Sequence, residues 1–232
     1  QVTAEDSRAH GHVAWLPPVL AMASFYPVRR DRGPATLEAV AASLRAGAAK
    51  AEAVAKKLAS PPTPSQLIHR ALVAKENRVD DVLRIASDSC CELDSNNLAT
   101  AIHKVAQISR RDGHPSAGAV RSDARFATLT ASAQGRAAEW PPRQLCHVAW
   151  SIAALSIDRG VLLEQVSTAF SIRGAAEGVP QDISTFAWSM AVVPYFDHDA
   201  LASTASGALA RICEFGLQDL AISAWAYAKL IY

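Results

Sequence analysis

"PRQLCHVAWSIAAL", Pro142 to Leu155, decides the fold, because the chain writes it twice more, as "PQDISTFAWSMAVV" (Pro180 to Val193) and "LQDLAISAWAYAKL" (Leu217 to Leu230). Widened to nineteen residues, the pattern runs without gaps through four copies. They are "ELDSNNLATAIHKVAQISR" from Glu92, "EWPPRQLCHVAWSIAALSI" from Glu139, "EGVPQDISTFAWSMAVVPY" from Glu177 and "EFGLQDLAISAWAYAKLIY" from Glu214. The starts are spaced by 47, 38 and 37 residues. A period near 38 with one insertion belongs to stacked helical hairpins rather than to propellers or leucine-rich horseshoes.

The columns of this alignment carry the physics. Position seven is Leu98, Leu145, Ile183 and Leu220; position eleven is Ile102, Ala149, Ala187 and Ala224. Position fourteen is Val105, Ile152, Met190 and Tyr227, and position seventeen is Ile108, Leu155, Val193 and Leu230. Steps of four, three and three trace one face of a helix. Position fifteen is always alanine (Ala106, Ala153, Ala191, Ala228), as expected where two helices approach closely. Position twelve is His103, Trp150, Trp188 and Trp225, which reads as a ring spacer in the core between repeats.

Second helices are expected between these first ones, in "DARFATLTASAQGRAAE" after Ser122, "DRGVLLEQVSTAFSIRG" from Asp158 and "HDALASTASGALARICEF" after Asp197. A degenerate first hairpin, "SQLIHRALVAKE" with "VDDVLRIASDSC", fits residues 65–90, and the insertion "RRDGHPSAGAVRS" (Arg110 to Ser122) reads as an exposed loop. Upstream, "TLEAVAASLRAGAAKAEAVAKKLA" (Thr36 to Ala59) is made of helix formers and is stopped by Pro61, Pro62 and Pro64. Residues 1–34 show no sustained period and are broken by prolines and glycines. The organisation expected is an extended arm over 1–34, a long helix with a Pro-rich linker over 35–64, and a repeat domain over 65–232. Its repeats begin near 92, 139, 177 and 214, and the last is left open after its first helix. The fold class expected is all-α: a right-handed α-solenoid of about 38-residue hairpins.

Composition agrees with helices and bounds the function. Half of the residues are hydrophobic and 19% are charged, with a formal net charge of +1. A diffuse attraction to polyanions is therefore not implied. The balance is uneven: residues 139–232 carry five Lys and Arg against nine Asp and Glu, net −4, which leaves eighteen against thirteen, net +5, for residues 1–138. Phosphate contacts are expected toward the N-terminal part, with Arg29, Arg30 and Arg32 as the basic cluster of the arm. The most apolar run, Val13 to Val28, is interrupted by Pro17, Pro18 and Pro27 and is too short to span a bilayer. The chain opens on Gln1, compatible with removal of a targeting peptide and import into an organelle.

No catalytic constellation stands out. There is no GxSxG, Walker loop, HExxH or metal-spaced cluster, so neither enzyme nor metal nor cofactor is expected. His10 and His12 read as incidental. Cys146 and His147 are helix neighbours that point about 100° apart, too far for a nucleophile and its base. Cys90, Cys91, Cys146 and Cys213 contain no CxxC pair; the neighbours Cys90 and Cys91 could form a strained vicinal disulfide, but buried or half-buried free thiols in a reducing compartment are expected instead.

At the aligned columns the chain resembles the octotricopeptide repeat family, whose roughly 38-residue helix pairs open with a pattern like Q-x-L-x-x-x-x-W-A-x-A-x-L. "RQLCHVAWSIAAL", "QDISTFAWSMAVV" and "QDLAISAWAYAKL" carry it, while "NNLATAIHKVAQI" matches only by its aliphatic and alanine columns. The resemblance covers about Ser65 to Tyr232 and implies an organellar RNA-binding protein that helps RNA maturation, translation or assembly into ribosomes.

The surface expected to meet RNA is the side of each first helix opposite its core. Positions five, nine and thirteen give Asn96, Thr100 and Lys104; Arg143, His147 and Ser151; and Gln181, Thr185 and Ser189. Small and amide side chains aligned in this way suit hydrogen bonding to unstacked bases. In the last copy the stripe is Gln218, Ile222 and Ala226, which with Tyr227 suggests a protein interface. The expectation is a non-enzymatic RNA-binding component of a ribonucleoprotein such as a mitochondrial ribosome, in the mitochondrion or alternatively the plastid. The rival is a protein-only scaffold or accessory subunit of an organellar membrane or energy-converting complex.

Overall fold

A computed structural model describes residues 42–43, 45–51, 61–112, 114–157, 160–193 and 197–231, and divides the chain into two units, Gln1–Ser60 and Pro61–Tyr232. In the first unit the described residues, 42–43 and 45–51, are helical. Arg29, Arg30 and Arg32, with the whole arm over 1–34, lie outside the described residues.

The described part of the second unit is all-α. Its helices are α1 (Pro64–Leu72), α2 (Val79–Asp88), α3 (Ser95–Asp112), α4 (His114–Arg121), α5 (Ala124–Ala133), α6 (Pro142–Ala154), α7 (Val161–Glu177), α8 (Pro180–Val192), α9 (His198–Ala210) and α10 (Leu217–Ile231). Short 3₁₀ turns at Ala137–Glu139 and Ile212–Glu214 precede α6 and α10. Among the described residues no helix is long and apolar enough to cross a membrane.

Five of these starts follow from local chemistry. Thr63 caps α1 by a capping box with Gln66, and prolines open α1, α6 and α8, where a missing N–H costs nothing. Asp123 and Asp197 accept backbone N–H groups at the starts of α5 and α9.

The insertion differs from its expected loop. α3 continues to Asp112 and α4 follows at once, Val120 is 2% exposed, and Arg121 donates to the Leu155 carbonyl at 2.7 Å. One apolar anchor and one guanidinium clamp are enough to hold a segment that its glycines and proline had marked as irregular.

Packing sorts the helices into two sets. α1 meets α3, α3 meets α6, α6 meets α8 and α8 meets α10; on the other side α2 meets α5, α5 meets α7 and α7 meets α9. Columns seven, eleven, fourteen and fifteen are buried through the first three copies, from Leu98 and Ile102 to Met190 and Ala191. Phe170 of α7 stacks on Phe186 of α8 at 3.9 Å in the same core. In α10 the columns that face the next helix in earlier copies are open, so Ala224 and Ala228 are exposed.

Several bonds between copies were not legible beforehand. Position eight donates to position six of the next copy: the Cys146 thiol to Asp182 Oδ1 at 3.5 Å, and the Ser184 hydroxyl to Asp219 Oδ1 at 3.0 Å. Column two is a further buried column, with Leu93, Trp140, Gly178 and Phe215, and Trp140 donates its Nε1–H to the Ser95 carbonyl at 2.7 Å. Its carbonyls are gripped by two arginines: Arg173 of α7 donates to Trp140, and Arg211, just after α9, to Gly178 at 2.6 Å. Each arginine lies 33 residues after its acceptor.

Candidate nucleic-acid interface

The face of the first helices turned away from the second helices follows positions five, nine, twelve and sixteen. Asn96, Arg143, Gln181 and Gln218 at position five are exposed, and Thr100, His147, Thr185 and Ile222 at position nine are half-buried. Position sixteen, Gln107, Ala154, Val192 and Lys229, is exposed or half-buried.

Position thirteen does not share this face as expected. Ser151 and Ser189 have no exposed surface, their hydroxyls donate back to the His147 and Thr185 carbonyls at 2.6 and 2.7 Å, and Ala226 is equally buried against Ala187 and Ala191. Ser151 and Ser189 are therefore withdrawn from the expected RNA surface, and Ala226 from the expected protein surface. The reason is the approach of successive first helices: position thirteen of one copy fills the groove between positions eleven and fifteen of the copy before, which only a small side chain fits. Lys104, the same position in the first copy, is only half-buried and donates to Gln107 at 3.0 Å. Tyr227 is also committed internally: its hydroxyl donates to the Leu201 carbonyl at 3.0 Å and burial pushes its pKa up to about 12.

Position twelve is graded rather than uniformly core. Trp188 is 4% exposed, Trp150 is half-buried, and Trp225 is 39% exposed. Between the first two full copies the rings form a cluster. His103 stacks on His147 at 4.2 Å and 12°, lies 5.2 Å from Trp150, and approaches the Ser151 hydroxyl through Nδ1 at 3.5 Å. The Arg110 guanidinium sits 5.4 Å over the Trp150 ring, and Lys229 is 5.1 Å over Trp225.

The charged side chains at these positions are of a single sign. None of the four copies places a carboxylate at positions five, nine, twelve or sixteen, whereas Lys104, Arg110, Arg143 and Lys229 stand on or beside them. The acids at position six, Asp182 and Asp219, are turned to the neighbouring first helix by the bonds described above. Burial pushes the His103 pKa down to about 3, helped by the charge of its neighbours, and burial followed by the Arg143 charge lowers His147. At neutral pH both imidazoles are thus uncharged rings, able to stack and to exchange hydrogen bonds. Gln144 Nε2 donates to Asn96 Oδ1 at 2.6 Å, joining position six of the second copy to position five of the first.

The pair Cys146 and His147 diverges as the helix requires. The thiol is buried and bonded to Asp182 and to the Arg143 carbonyl, with its pKa pushed well up by burial, while the imidazole faces His103. Among the described residues no three His, Cys, Asp or Glu side chains are grouped to hold a metal ion. No family model matches the chain, and no curated protein is similar to it.

Proposed function

We propose that the chain is a non-enzymatic RNA-binding protein of an organelle, built as a right-handed α-solenoid of about 38-residue hairpins of the octotricopeptide type. It serves as a component of a ribonucleoprotein such as the mitochondrial ribosome, with the plastid as the alternative location. The repeat face holds single-stranded or loop RNA through Asn96, Thr100, Lys104, Arg143, His147, Gln181 and Thr185, and Arg29, Arg30 and Arg32 of the arm add phosphate contacts. The observation that carries this reading is the acid-free stripe along four successive first helices, on which Lys104, Arg110, Arg143 and Lys229 flank amide, hydroxyl and ring side chains. Such a stripe suits phosphate neutralisation beside unpaired base edges.

Binding of the full chain to single-stranded RNA over a salt series tests it. The logarithm of affinity should fall linearly with that of salt, and the double variant Lys104→Ala, Arg143→Ala should flatten the slope by about 1.4, near 0.7 for each phosphate contact removed. Absence of binding at low salt refutes the reading.

A second reading, a protein-only scaffold or accessory subunit of an organellar membrane or energy-converting complex, is favoured by one feature. α10 leaves Leu217, Ala221, Ala224, Trp225 and Ala228 open. Gln218 and Ile222 border that face, so a neighbouring protein would meet them there.

A further inference from the structure

Cys90 and Cys91 occupy the turn between α2 and α3 and were expected to be at least half-buried; both are exposed. The turn is closed by Cys90 N–H to the Ser87 carbonyl at 3.3 Å and by Glu92 and Leu93 N–H to the Ser89 carbonyl at 2.8 and 3.1 Å. In an extended strand adjacent side chains diverge to opposite faces. Here the turn swings them together, and the two sulfurs lie 3.7 Å apart. The other thiols differ: Cys146 is buried and bonded to Asp182, and Cys213 is exposed but has no second cysteine beside it.

We propose that Cys90 and Cys91 are a redox modification site, a solvent-facing dithiol that a small-molecule disulfide of the glutathione type oxidises reversibly to a vicinal disulfide. Contact with the neighbouring sulfur, first through the hydrogen bond and then through charge, raises the Cys91 thiol above its usual range; the first attack comes from the Cys90 sulfur as its thiolate. That thiolate displaces one thiolate from the oxidant and forms a mixed disulfide. Cys91 then loses its proton to water and attacks the Cys90 sulfur, and the second small thiolate leaves. Two protein thiols are oxidised, and one small disulfide is reduced to two thiols. The eight-membered ring formed by neighbouring cysteines is strained, which makes the bond an easily reduced, switchable one rather than a permanent staple. The turn it tightens leads into Asp94, which accepts the Asn97 N–H at 2.7 Å and the Ser65 hydroxyl and so joins α3 to α1.

The test is peptide mapping by mass spectrometry of the full chain, equilibrated in buffers of rising glutathione disulfide to glutathione ratio and quenched in acid. The peptide holding Cys90 and Cys91 should lose two hydrogens without retaining glutathione, and excess thiol should restore it; Cys213 should instead carry one glutathione. Cys91→Ser should trap glutathione on Cys90. The proposal is overturned if the native pair retains glutathione as that variant does, cross-links chains, or stays reduced at ratios that modify Cys213.

Discussion

The tryptophan column offers one substitution at three depths, and the structure grades its cost. Trp188 is 4% exposed and lies on α8, which packs against both α6 and α10. A tryptophan ring buries roughly 200 Å², worth about 5 kcal/mol at ~25 cal/mol per Å². Alanine retains about a fifth of that, so Trp188→Ala should cost ~4 kcal/mol, within the roughly 3–5 kcal/mol of large aromatic truncations. Trp225 is 39% exposed, and scaling the buried area accordingly gives roughly 2 kcal/mol. Trp150 should fall between. Urea unfolding followed by circular dichroism, which does not depend on the ring removed, measures all three, and truncation of Trp188 should hardly change the RNA affinity of the folded fraction. Equal costs at Trp188 and Trp225 would refute the argument that each first helix is sealed by the next, and loss of RNA binding without loss of stability at Trp188 would make the ring a base platform instead.

Asp182 both accepts the Val179 N–H at 3.2 Å and receives the Cys146 thiol, so Asp182→Ala should lower stability by about 1–2 kcal/mol in the same assay. His103 has a folded pKa of about 3, below the ordinary 6.5, so the unfolded chain binds the extra proton between those values. Its contribution is complete above pH 6.5 and is lost as pH falls toward 3; His103→Gln should flatten the decline of melting temperature over that window, and an unchanged decline would mean other groups govern it. A Cβ added at Gly174 would lie 2.5 Å from the buried Phe170 ring that stacks on Phe186, so Gly174→Ala should destabilise by roughly 1–3 kcal/mol through overpacking, read by thermal unfolding.

What the sequence by itself determined is the helical register. A 3.6-residue period is a property of one chain segment, so the columns of Leu145, Ala149, Ile152 and Ala153 could be read as a buried face before any coordinates existed, and they are buried. The same logic led to Asn96, Thr100, Arg143, His147, Gln181 and Thr185, which do share an accessible face. Tertiary structure decided what borders that face, because the edge of a stripe depends on how closely and at what angle the next helix lies. Ser151, Ser189 and Ala226 were small enough to be swallowed by that contact, and Tyr227 was drawn in by the Leu201 carbonyl. The arginine grips of Arg173 and Arg211 and the carboxylates of Asp182 and Asp219 leave no periodic trace within a single helix. Their partners lie 33 to 36 residues away, and only the packing of one helix on another brings donor and acceptor together.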